Sequence, residues 1–325
     1  TLNVHIHSTF LQMGVHLMKT HLVMEAFSVA SWRQLSSIHP IFQLLFPHLR
    51  SIMAINTIGR KELVSEGGIV DKTLSIGGGG HIQLLEKTYK GFQLEMLCLP
   101  IMLKKRGVDD HEKLPNYYYR DDGRLMWDAI CNFIREFLVV FYRSDDDVCN
   151  DHELQSWAMD IHENGLPTRE GDEDHGFPAC LQTLDELVHV LTCIVFTCSC
   201  QHAAVNFPQM EFTGYIPNVP PVMRLPPPAK KGEATMEYIM ATLPNKIQAG
   251  WHIGTMYTLT RIAKDERFIG DFSQSLLCGK EVEDAISRFQ ASLQSISEAI
   301  KKRNASLEFP YSYLLPERVP NSTGI

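Results

Sequence analysis

The chain has 325 residues, of which 44% are hydrophobic and 21% charged, and its formal net charge is −8. This length can bury a large core in one or two domains. The acidic balance leaves no basic footprint and excludes nucleic acid as a partner. No run of 18 apolar residues occurs, as a membrane-spanning helix would need.

Residues 10–35 carry apolar side chains at helical spacing and predict one long helix ending near Ser36–Ser37. His39-Pro40 opens a second helix over Ile41–Leu49, limited or kinked by Pro47. Residues 50–76 read as short helices and turns broken at Gly67-Gly68. The glycine run Gly77–Gly80 precedes a helix over His81–Thr88. It lacks the Gly-Lys-Ser/Thr ending of a phosphate loop, so it reads as a flexible turn. Leu114–Gly123 is predicted as a loop leading into a helix at Arg124–Tyr142.

Asp145–Asp147 and Asp151–Glu153 form an acidic turn without the spacing of a calcium loop, and the next helix covers Asp151–Asn164. Thr168–Gly176 is charged and expected to be exposed. Leu184–Asn206 is a second long apolar helix; its most apolar stretch, Leu184–Cys200, is interrupted by Asp185, Glu186 and His189 and reads as buried core. Seven prolines in residues 207–233 predict extended loop. Helices follow at about 235–241, 245–263 and 281–304, and the tail after Pro310 is irregular. The class is mainly α, with no repeat and no internal domain boundary.

Eight cysteines include no C-x-x-C pair, which suits reduced core thiols in a cytoplasmic protein. The N-x-Ser/Thr triplets at Asn304 and Asn321 read as chance matches. A histidine-rich amphipathic run begins almost at residue 1, which is Thr, and this suggests a piece of a longer protein.

Two places carry candidate metal chemistry. His16 and His21 are five apart, and in a regular α-helix that step turns the side chain by roughly 140°. Winding with hydrogen bonds to i+5 brings them onto one face, and such turns concentrate at functional sites. His202 and Asn206 are four apart, so an ordinary helix puts both on one side. Two long apolar helices facing each other can hold a metal between them. Imidazole and amide oxygen without thiolate suit iron. With 14 histidines in the chain, the H-x4-H spacing by itself is a weak signal. His5, His7, His39, His48 and His81 read as surface or structural residues.

Longer motifs strengthen the reading. His-Leu-Met-Lys-Thr-His-Leu at 16–22, Ser-Ile-His-Pro-Ile-Phe at 37–42 and Tyr-Tyr-Tyr-Arg-Asp-Asp-Gly at 117–123 resemble animal lipoxygenases. So do Gln-His-Ala-Ala-Val-Asn at 201–206, Pro-Asn-Val-Pro-Pro at 217–221 and the ending Pro-Asn-Ser-Thr-Gly-Ile. The resemblance runs in order over nearly the whole chain. Gly-Gly-Gly-Gly-His at 77–81 and Cys-x-Cys-Gln-His-Ala-Ala-Val-Asn-Phe at 198–207 favour the 5-lipoxygenase branch.

The resemblance implies the C-terminal part of a helical lipoxygenase catalytic domain, residues 1–325. One non-heme iron is held by His16, His21, His202, Asn206 and the terminal carboxylate of Ile325. Gln12 and Gln209 back these ligands by hydrogen bonds. Ferric hydroxide takes a hydrogen atom from the CH2 between two cis double bonds of a polyunsaturated fatty acid such as arachidonate. O2, the co-substrate, then adds to give a hydroperoxide. An alternative on the same fold is a hydroperoxide isomerase forming epoxyalcohols, and a third reading is a non-catalytic fragment.

Leu17, Leu22, Ile55, Leu63 and Leu259 match positions lining the family's fatty-acid channel; plain core is the alternative. Trp251 and His252 match positions near the pocket. Arg60 matches a basic position near the channel that would meet the fatty-acid carboxylate, against a solvated arginine. Thr73 and Leu74 match positions that set pocket depth, Leu74 being bulkier than the Asn of the 5-lipoxygenase branch. Gly59 stands where Ala accompanies S products and Gly accompanies R products, which argues against plain 5S activity. Leu11 replaces a further histidine usual in the family. The family's N-terminal β-sandwich, which docks on membranes with calcium, and the first catalytic helices are not in this chain.

Overall fold

The computed structural model describes residues 9–324; His5, His7 and Ile325 lie outside them. Helix α1 is continuous, π-wound over Leu11–Leu22 and regular over Val23–Gln34. α2 (Pro40–Leu49) starts at His39, whose ring accepts from the Ile41 amide, and it tolerates Pro47 inside. α3 (Ile52–Glu62), α4 (Ile69–Thr73) and α5 (Gly80–Lys90) follow, then α6 (Leu99–Lys105) and α7 (Tyr118–Phe141). α8 (His152–Asp160) runs into a π-turn, Ile161–Gly165. α9 is unbroken through Leu184–Phe196, a π-turn at Thr197–Gln201, and His202–Asn206. Then come α10 (Gln209–Thr213), α11 (Met236–Thr242), α12 (Lys246–Leu259) and α13 (Lys280–Asn304). A one-turn helix at Asp145–Cys149 and 3-10 turns at Leu94–Leu97 and Pro316–Arg318 complete the helices among the described residues. No strand occurs among the described residues; Phe268 and Pro320 form an isolated bridge.

α9 is the axis of the core. It is apolar on all sides, as a helix surrounded by protein must be, and Leu187, Leu191, Cys193, Ile194 and Cys198 are fully buried. By composition Leu184–Thr213 is long and apolar enough to cross a membrane, but 83% of its most apolar window is buried inside the fold. Its start is held by a capping box between Thr183 and Glu186. α7 packs along it and on its other side meets α13, where Phe133 stacks on Phe289 at 4.6 Å. The π-wound part of α1 lies against the C-terminal end of α9, and the regular part carries α2, α3 and α8.

Several boundaries differ from expectation. Asp145–Cys149, expected as an acidic turn, is a short helix held by a capping box between Ser144 and Asp147, and α12 ends at Leu259. α7 begins at Tyr118, so most of the predicted loop Leu114–Gly123 is helical. The reason is tertiary: Arg120, fully buried, donates to the carbonyls of Val108, Asp110 and Leu114, and Asp122 pairs with Arg303 of α13. Gly123 lets the helix pack closely on Leu99: a Cβ there would lie 3.1 Å from Leu99 Cδ2, which would have to give way by a few tenths of an ångström. Residues 207–233 also hold a helix, α10, which Pro208 starts without loss because the first helical amides need no partner. In the glycine run, Gly78 and Gly79 take left-handed backbone (φ 66° and 90°), and Asp71 accepts from the Gly67 and Gly78 amides. His81 is buried beside it and donates to the Val64 carbonyl.

His48 is fully buried and donates from Nδ1 to the Asn321 carbonyl, 2.9 Å. Burial pushes its pKa down to about 4, although the bond to Asn321 opposes this. The folded state therefore holds His48 neutral, while the unfolded chain protonates it near its ordinary value of about 6.5. Stability from this residue is full above that value and is lost as pH falls toward 4. Urea unfolding should show about 2 kcal/mol less stability from this group at about pH 5 than at about pH 7. His48→Gln should flatten that part of the pH dependence, and an unchanged slope would exclude His48 as its source.

Candidate metal centre and acyl cavity

The i+5 winding of Leu11–Leu22 turns His16 and His21 to the same side. Their Nε2 atoms approach to 3.2 Å. His202 enters from α9, and the three ring centroids lie 5.0, 5.3 and 5.0 Å apart. One ligating nitrogen from each falls within 4.8 Å of the others. All three rings are buried. Burial lowers the pKa of each: His21 to about 4, His16 and His202 well below the ordinary value, the neighbouring imidazoles adding to the effect on these two. The rings are therefore neutral near pH 7, which is the state that offers a lone pair to a metal. Neither ring nitrogen of His202 has a hydrogen-bond partner. A buried polar atom left so costs about 1–3 kcal/mol, and a cation between the rings would remove that cost.

Asn206 lies one turn beyond His202. Its amide donates to the Leu259 carbonyl (2.8 Å), and its Oδ1 accepts from Gln209 Nε2 (2.7 Å). These bonds orient the amide and leave the oxygen a second lone pair. Gln12 Oε1 is 3.4 Å from His16 Nδ1, and Thr20 donates to the His16 carbonyl at 2.6 Å. The position of the Ile325 carboxylate lies outside the described residues, but Asn321–Thr323 before it are buried.

His16 and His21 border a cavity of about 1240 Å³ with a mostly apolar wall. Leu17 and Leu22 reach it from α1, and Ile55, Gly59 and Arg60 from α3, with Leu63 just beyond. Thr73 and Leu74 come from the end of α4, and Trp251, His252 and Leu259 from α12. Gln12 and Gln209 also line it, whereas His202 and Asn206 do not. His252 is buried, and this lowers its pKa despite the Thr213 backbone. Trp251 is half exposed, with the Lys72 ammonium 5.2 Å from its ring. A Cβ on Gly59 would meet nothing nearer than Leu63 Cδ1 at 3.9 Å.

Some participants carry no sequence signal. Arg60 donates a two-pronged bond to Glu25. Asn56 donates to the His21 carbonyl and to Glu25. Tyr119 of α7 donates to Gln201 in the π-turn just before His202. A lone Glu, Asn or Tyr in a helical pattern looks like any surface residue until its partner is known.

Residues 3–311 match the profile of the Lipoxygenase family. The allene oxide synthase-lipoxygenase protein of Plexaura homomalla is 53% identical over 318 residues, 98% of this chain and 30% of that protein. Polyunsaturated fatty acid lipoxygenase ALOX8 of Mus musculus is 39% identical over 310 residues, 95% of this chain and 45% of that one. The chain thus spans less than half the length of these relatives. The anaerobic crystal structure of a lipoxygenase in complex with arachidonate superposes with a TM-score of 0.97 at 52% identity, covering 99% of this chain and 47% of that one. Coral 8R-lipoxygenase does so with 0.97 at 53%, covering 100% and 48%. The histidine triad beside an apolar cavity, this fold and a family match over nearly the whole chain agree: the chain belongs to the lipoxygenase family.

Proposed function

We propose that this chain forms the iron-bearing part of a lipoxygenase that adds O2 to a polyunsaturated fatty acid, arachidonate being the expected example, to give a conjugated hydroperoxide. The observation that carries this reading is a neutral, buried histidine triad with two members on the wall of a large apolar cavity. His16, His21, His202 and the Asn206 amide oxygen would hold iron, with the Ile325 carboxylate as a further donor. Nitrogen and oxygen donors without thiolate suit it, and the unpartnered His202 nitrogens are a place for it. Iron, when bound there, supplies the one-electron oxidation that removal of a bis-allylic hydrogen requires.

The chain's own residues contribute position. The apolar wall binds an acyl chain by removing its CH2 groups from water, at about 0.8 kcal/mol each. The cavity exceeds the ~300–1,000 Å³ of ordinary small-molecule clefts, as a long chain needs. Gln209 and Leu259 orient the Asn206 amide, and Gln12 stands by His16. Nearness to the 5-lipoxygenase branch rests on the motifs at 77–81 and 198–207.

Gly59 supports R-type products: open space lies where a methyl group would stand. Gly59→Ala should shift the product toward S and move the oxygenated carbon, read by chiral chromatography with arachidonate. The same product from both forms would exclude the role. The test of the function is O2 uptake with arachidonate beside the iron content. Epoxyalcohol from added hydroperoxide without O2 uptake would make the enzyme an isomerase.

A further inference from the structure

Arg60 stands on the cavity wall, but its guanidinium turns to Glu25 of α1. Nη1 donates to Oε2 at 2.6 Å and Nη2 to Oε1 at 2.9 Å. This is the planar fork-to-fork geometry of a bidentate Arg–carboxylate pair. The same Oε2 accepts from Asn56 Nδ2 at 2.9 Å, and Nδ2 also donates to the His21 carbonyl at 3.0 Å. Asn56 is 4% exposed, so its amide has no water to fall back on. Three side chains from two helices thus form an unbroken path from the cavity wall to the backbone of one imidazole of the triad.

The path is not a cap or a turn. Asn56 sits in the middle of α3 and gives both amide hydrogens to α1. The hydrophobic attraction between two helices is non-directional, whereas hydrogen bonds of fixed length and angle tie their register more narrowly. On the same helix, α3 presents Ile55 and Gly59 to the cavity. A slip of α3 along α1 would therefore move the space beside Gly59 relative to His21.

We infer that Asn56, Glu25 and Arg60 are positioning residues that hold the Gly59 wall in register with His21 and thereby set which carbon, and which face, of the bound acyl chain is oxygenated. This rests on the lipoxygenase reading above. Arg60 is then a member of the register device, not the partner of the substrate carboxylate.

The test compares the iron-loaded chain with Asn56→Leu, which keeps the side-chain size and removes both donors, and with Glu25→Gln. The readout is the ratio of minor to major hydroperoxide isomers from arachidonate, which does not depend on how much enzyme is active. Loss of the Asn56 hydrogen bonds to the His21 carbonyl and Glu25 should raise that ratio about five- to tenfold or more. Arg60→Met, at a half-exposed position where folding is not at stake, should move it in the same direction by less. In parallel, hydrogen exchange of the iron-free variants should quicken in 52–62 relative to the parent chain.

Loss of activity with an unchanged isomer ratio would reduce the network to helix packing and overturn the inference. If the parent chain forms no hydroperoxide, the lipoxygenase reading fails. The exchange measurement then still decides: unchanged protection of 52–62 in Asn56→Leu rejects the coupling, and lost protection sustains it.

Discussion

His202→Ala is expected to abolish iron binding and, with it, hydroperoxide formation. His202 is carried by the most deeply buried helix and closes the triangle with His16 and His21. Without it the metal keeps only two imidazoles, both from α1, and the neutral Asn206 amide oxygen is all that ties α1 to α9 through the site. The variant also removes two unpartnered buried nitrogens, so the metal-free fold loses little of its polar satisfaction. That makes folding and metal binding separable. For the parent chain, iron at about 100 times its dissociation constant should add roughly 2.7 kcal/mol of stability. The variant should show no iron-dependent rise in Tm and less than about a tenth of the parent's iron, a residue expected from non-specific binding alone. A retained rise in Tm with iron would remove His202 from the metal site.

Adding one glycine after Ile325 should remove most of the iron and the turnover, while Ile325→Val should be mild, since only the terminal carboxylate is needed. An added residue moves that carboxylate by as much as about 3.8 Å. The preceding tail has no slack to take this up. Ile269 and Val319 share a backbone bond, Asn321 donates from its backbone to Arg267 and from its side chain to the Asp271 carbonyl, and His48 holds the Asn321 carbonyl. Thr323 is fully buried, and a Cβ on Gly324 would stand 3.5 Å from Ser51 Cβ. Sliding the tail back by one residue would break these bonds together. Iron content and O2 uptake of the extended chain, set against Ile325→Val, check this. An extension that leaves both unchanged would show that the Ile325 carboxylate is not a ligand.

Much of the site was legible in the residues themselves. The five-residue step from His16 to His21 cannot share a face in a regular helix, so a metal role required i+5 winding, and Leu11–Leu22 is wound that way. The four-residue step from His202 to Asn206 needed no such device. The π-turn Thr197–Gln201 left no mark in the spacing, because no repeated ligand type straddles it. Cavity positions such as Leu17 and Ile55 look like core leucines and isoleucines in any helical pattern; only neighbours distant in the chain reveal open space beside them.

By itself, then, the sequence determined the helical class, the two long apolar helices, the candidate donors and the family resemblance. These follow from periodicity and local spacing, which the chain carries wherever it folds. Tertiary structure alone decided that Arg60 meets Glu25, that Asn56 reaches the His21 carbonyl, and that buried Arg120 makes a helix of a segment that reads as loop. Each depends on a partner brought near by packing, and hydrogen bonds between helices have no period in the sequence from which to read them.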